Sequence, residues 1–152
     1  MSIIRKIIVV LAVVLVVIQF IRPKHNEGDM HGPNEIAASP EVRTILEKSC
    51  YDCHSNSTVY PWYTNIQPLG WWISNHVNEG KEEFNFSEFN AYKLKRKLHK
   101  MKKLKEEIEE NEMPLTSYTL IHTGSKLSEE QKTQLLNWVS ETTKIISDTI
   151  VH

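Results

Sequence analysis

Cys50-Tyr51-Asp52-Cys53-His54 constrains this chain more than any other stretch, because it holds both cysteines and sets a histidine directly after the second. C-x-x-C-H is the pattern of covalent c-type haem attachment. Two thiols three residues apart lie on one side of a helical turn, so both can add to the vinyl groups on one edge of a haem. The next residue, His54, is then carried under the ring, where its imidazole binds iron as the proximal ligand. A chain built on this motif folds around a flat prosthetic group.

Other readings of the pentapeptide are weaker. A disulfide between Cys50 and Cys53 closes a very short loop and constrains the unfolded chain little. A structural zinc site needs about four ligands, and no second Cys/His pair with zinc spacing follows. A thioredoxin-type motif expects a βαβ context, which the downstream residues do not offer.

Ile7 to Ile21 is apolar apart from Gln19, and Arg5 and Lys6 precede it. Those residues span about 22 Å as a helix, and snorkelling of Arg5 and Lys6 brings the segment near the lower limit for a bilayer. The run ends in Gln19-Phe20-Ile21-Arg22-Pro23, which lacks the small residues of a cleavage site. Residues 1–21 are therefore expected as a retained membrane anchor. Residues 22–38 are polar and aperiodic, and read as a flexible linker in which His25, Met30 and His31 are solvated. A haem-binding domain follows over 39–147, with a tail at 148–152. Flanking charge leaves the orientation open, and the haem motif decides it: thioether formation takes place outside the bacterial inner membrane, on the periplasmic side. A net charge of −1 gives no case for nucleic acid.

The domain reads as all-α. Ser39 and Pro40 suit an N-cap and first helical position, and Val42, Ile45, Leu46 and Ser49 mark one face of a helix running into the motif. Leu69 to Glu79 reads as a second helix, ended by Gly80. Ser87 caps a third, running to about Met113, with Leu94, Leu98, Met101, Leu104 and Ile108 as its apolar stripe. Eight Lys/Arg from Lys93 to Lys105 precede five glutamates, an order that opposes the helix dipole. Either the helix breaks there, or packing and spaced Lys–Glu pairs carry it. Ser128 to Gln131 is a capping box, and Leu135, Val139 and Ile146 line the last helix. No strand pattern of any strength is visible.

One covalent haem held by His54 leaves a sixth iron position. Met113 is the first candidate, since Pro114 keeps it out of a helix and leaves its thioether free to project. His76, one turn after Trp71 and Trp72, is the alternative. Tyr60, Trp62, Tyr63, Trp71 and Trp72 are expected to wall the ring, excluding water and raising its potential.

The chain resembles the small haem-binding domain proteins of bacteria, related in pattern to monohaem cytochromes c. The likeness covers about Ser39 to Val139. It is carried by Cys50 to His54, Tyr60-Pro61-Trp62-Tyr63, Pro68, Trp71, Trp72, His76, Glu79-Gly80, Asn85-Phe86-Ser87, Met113-Pro114, Tyr118, His122, Leu127-Ser128 and Trp138. The resemblance implies covalent haem, His54 as proximal ligand and a place outside the cytoplasm, and makes Met113 similar to the distal methionine of cytochromes c. One departure is Thr-Gly-Ser-Lys after His122, where a proline-containing turn is expected. The expected architecture is a cytochrome c-like bundle of three to four helices, preceded by one membrane helix.

Electron transfer to a redox partner protein is the leading function, with an electron carrier favoured over an enzyme. A haem sensor or ligand-binding module, in which the sixth position is open or displaceable, is the second reading. A peroxidase with His76 acting on peroxide is the third.

Overall fold

Ser39 accepts a hydrogen bond from the Val42 N–H at 3.3 Å, and Pro40 opens the helix that follows. In the computed structural model, which describes residues 2–151 (backbone only at 150 and 151), this helix is α2, Pro40–Ser49. Before it comes α1, Ile3–Ile18. After it come α3 (Tyr51–His54), α4 (Leu69–Glu83), α5 (Leu94–Glu109), α6 (Thr116–Ile121) and α7 (Glu129–Val151), with short 3-10 turns at Trp62–Asn65, Phe86–Ala91 and Thr123–Ser125. Among the described residues no strand forms, and the one isolated bridge pairs Glu27 with Ser57. The expected all-α class holds.

The core lies where α2, α5 and α7 meet. Leu46, Met101 and Leu135 are fully buried there, with Val42, Ile45, Ile108, Val139 and Ile146 around them. The reversed charge order does not break α5. Lys102–Glu106, Lys103–Glu107 and Lys105–Glu109 pair across successive turns. Each exposed pair contributes about 0.3–0.5 kcal/mol, no more than the unfavourable dipole order costs. Burial of each apolar side chain contributes about 1.5–3 kcal/mol, so the stripe facing α7 decides that α5 forms.

α7 starts on the capping box: the Ser128 N–H donates to Gln131 Oε1, and the Gln131 N–H donates to Ser128 Oγ. It then continues as one helix through Val151, so 148–151 form its last turn rather than a separate tail; His152 lies outside the described residues.

Four expectations are corrected. Gly80 does not end α4, which runs on to Glu83. Ser87 does not cap a long helix: Asn85 caps a 3-10 turn by accepting from the Ser87 N–H, and α5 begins at Leu94. α5 ends at Glu109, not Met113, because Asn111 adopts a left-handed φ of 61° and reverses the chain. Residues 22–38 are no free linker. The Asn26 side chain donates to Ser55 O and Thr58 Oγ1, His25 stacks on Tyr60, and Ile36 is buried in the core.

The membrane helix expected over 1–21 is not supported either. α1 stops at Ile18, and among the described residues no helix is long and apolar enough to cross a membrane. None of the side chains of α1 is buried. Its end is fastened to the domain instead: Gln19 donates to Gln67 O and accepts from Gln67 N, and Arg22 donates to Asn65.

Candidate functional site

Tyr51 to His54 of the motif form their own short helix, α3, with Cys50 as the cap between α2 and it and an irregular loop after it. The two spacer residues lock it in place. The Tyr51 hydroxyl, buried with its ring, donates to Glu35 Oε1 at 2.8 Å. Asp52 accepts from the Val59 N–H on one oxygen and from the Tyr118 hydroxyl on the other, the latter at 2.7 Å. Burial first, and then these carboxylates, push both phenols well above the usual tyrosine range, so both remain donors.

α4 lies directly against α3, and Gly80 is the point of contact. A Cβ at that position would stand 2.6 Å from the Cys53 carbonyl oxygen. The glycine read as a helix terminator thus lies inside the last turn of α4, where it permits close backbone approach.

His54 is oriented by the chain that leaves α4. Its Nδ1 lies 2.9 Å from Phe84 O. A carbonyl only accepts, so Nδ1 carries the hydrogen and Nε2 keeps its lone pair. Burial lowers the His54 pKa, although bonds to the Phe84 and Gly80 backbone oppose that shift, and the neutral ring is favoured. A histidine that ligates a metal through one nitrogen while its other N–H is held by a carbonyl has this arrangement.

Cys50 and Cys53 are free thiols. Burial raises Cys50 to about 12, with the neighbouring Cys53 adding to it, and raises Cys53 to about 11, with Asp52 adding. Burial thus disfavours the thiolate at both positions. Among the described residues no group of three or more His, Cys, Asp and Glu side chains could hold a metal ion.

The motif lines a cleft of three adjoining sections. The middle one, about 300 Å³, is bordered by Cys50, Cys53, His54, His76, Met113, Pro114 and Tyr118. A second holds Cys50 and His54 with Phe84, Phe86, Leu104 and Met113, and Lys100 and Lys103 stand at its edge beside Glu83 and Glu107. The third holds Cys53, His76, Tyr63, Trp72, Tyr118 and His122. This mostly apolar lining, with a few convergent polar groups, suits an organic cofactor. The two thiols, one imidazole nitrogen with a free lone pair and a thioether form a donor set that fits haem.

The structure therefore brings Cys50, Cys53, His54, Met113 and His76 to one cleft. Met113 arrives from the α5–α6 connection, where its N–H and that of Glu112 both donate to Glu107 O. His76 lies on α4, one turn before Gly80, with its ring edge-on to Trp72 and 3.6 Å from Glu79. Of the five aromatic residues expected to wall the ring, Tyr63 and Trp72 line the third section and the others line none. Tyr60 stacks on His25, Trp71 donates to Ile21 O, and Trp62 is 75 % exposed. The aromatic wall beside His54 is Phe84 and Phe86, which sequence reasoning passed over as cleft residues. Their signal is faint: two phenylalanines one residue apart in a short aperiodic stretch. The stacked Tyr118–His122 pair, with Tyr63 within 3.3 Å of the histidine, closes the third section.

The sequence profile of a family described as "Haem-binding domain" matches residues 13–141. The chain is also similar to "Cytochrome c peroxidase Ccp" of Escherichia coli (strain K12), with 28% identity over 100 residues. That match takes in 64% of this chain and 22% of the peroxidase, so the chain spans about a fifth of the length of that relative. No solved structure matches.

Proposed function

The chain belongs to the haem-binding domain family, and on that premise we propose that it is a monohaem c-type electron carrier held at a membrane by α1. The observation that carries the reading is the fixed tautomer of His54: the Phe84 carbonyl takes Nδ1–H and leaves Nε2 free on a cleft that both thiols line. Cys50 and Cys53 would hold the group through thioethers, and His54 and Met113 would ligate its iron. Bound in this way, haem supplies an iron that cycles between two oxidation states, and a methionine ligand raises its potential.

The residues divide the remaining work. Phe84, Phe86 and Leu104 keep water from one end of the cleft. Tyr51 and Asp52, each hydrogen-bonded, hold α3 so that both thiols and His54 keep their relative places. Met113 is preferred to His76 because it comes from a separate segment, whereas His76 sits on α4, the helix packed against Cys53 through Gly80. The exposed apolar side chains of α1 support seating in lipid. At 1.5 Å per residue its 16 residues reach about 24 Å, so local thinning of the bilayer would accompany insertion. The attachment chemistry expected of the motif supports an extracytoplasmic position for the domain.

A peroxidase-type reaction is the second reading, prompted by the name of the Escherichia coli relative. Neither arginine of the domain lines the cleft: Arg43 lies 3.7 Å from Glu35, and Arg96 sits over the Tyr92 ring.

Absorption spectra separate these readings. The wild-type ferric protein should be low-spin, with the weak far-red band of methionine ligation, and Met113→Ala should lose that band. A low-spin wild-type protein that lacks that band, together with a high-spin His76→Ala, would transfer the sixth position to histidine. Rapid carbon monoxide binding by wild-type ferrous protein would favour the peroxidase or a ligand sensor.

A further inference from the structure

From Val59 to Asn75, 17 residues pass without Asp, Glu, Lys or Arg, in a chain that is 24% charged overall. The stretch exposes large apolar side chains: Trp62 at 75 %, Trp72 at 50 % and Ile66 at 48 %. It is also the part of the domain that grips the end of α1. Gln67 and Gln19 exchange two hydrogen bonds, Asn65 accepts from Arg22, and the Trp71 indole donates to Ile21 O at 2.7 Å.

We propose that this uncharged face is a lipid-bilayer footprint, seated among the headgroups around the exit of α1. The inference rests on the reading of α1 as lipid-inserted and goes beyond it, because an anchor alone leaves its domain free to tumble. Three observations select lipid as the occupant. The face is continuous with a helix that is apolar from Ile7 to Ile18 and buries none of its side chains. Its exposed residues are led by tryptophan, which concentrates at membrane–water interfaces. Arg22 follows directly and remains exposed, suited to phosphate. Leu69 and Trp72 belong both to this face and to the third section of the cleft, which is thereby held at headgroup level.

The test uses the full holoprotein, labelled with 5-fluorotryptophan, in phosphatidylcholine nanodiscs with and without a headgroup spin-labelled lipid. Trp→Phe variants at 62, 72 and 138 assign the fluorine signals, and flotation with vesicles of the same lipid reports on α1. The footprint predicts that spin-labelled lipid weakens the Trp62 and Trp72 signals several-fold while sparing Trp138, which is buried in the core. Flotation with Trp62 and Trp138 affected equally would overturn the footprint and leave the anchor standing. Failure to float would overturn both. A sheltered Trp62 in a species of twice the chain mass would assign the face to a second copy instead.

Discussion

His54→Ala is expected to leave a protein that still carries covalent haem but whose ferric iron is high-spin, with low-spin character recovered on adding imidazole. The thioethers depend on Cys50 and Cys53, so the group stays attached when the imidazole is removed. The iron then lacks its proximal nitrogen, and an external imidazole can occupy the space the side chain vacates. The same substitution strips Phe84 O of its donor in a buried place, which costs about 1–3 kcal/mol. Electronic spectra before and after imidazole, together with a thermal melt, read both effects. An unchanged low-spin spectrum in His54→Ala would show that another residue holds the iron.

Gly80→Val should be the most damaging single change outside the cofactor ligands. The first added carbon alone would stand 2.6 Å from Cys53 O and 3.1 Å from Cys53 Cβ. Both belong to the short helix α3, whose position the rest of the site depends on, so the contact cannot be relieved without moving a thiol. Overpacking of this kind typically costs about 1–3 kcal/mol, and a β-branched side chain against backbone belongs at the upper end. Urea unfolding should give a midpoint well below wild type, and the yield of haem-loaded protein should fall with it. A wild-type midpoint and full loading would mean that α3 and α4 do not meet at this glycine.

What could be read from the residues was local. The Ser39 cap and the Ser128–Gln131 box are patterns of three or four residues, and the structure realises both; the stripe of α5 is realised at Met101 and Ile108, with Leu98 and Leu104 half-buried and Leu94 exposed. The motif itself was legible for the same reason. Gly80 was misread because a helix-ending glycine and a close-packing glycine look alike until the opposing backbone is known. Residues 22–38 were misread because their order comes from partners far along the chain, such as Asn26 with Ser55 and Ile36 with Phe86. The aromatic wall was misassigned because aromatic content does not reveal direction: Trp62 turns outward, while Phe84 and Phe86, in a stretch with no period, turn to the cleft.

The central claim is that Cys50 and Cys53 hold one haem covalently, with His54 beneath it. Intact mass under denaturing conditions tests it most directly, on the full chain made in a host with a working attachment pathway. The wild-type chain should be heavier than its sequence by one haem, and Cys50→Ser/Cys53→Ser should show the sequence mass alone. A red protein whose denatured wild-type chain shows only the sequence mass would contradict covalent attachment.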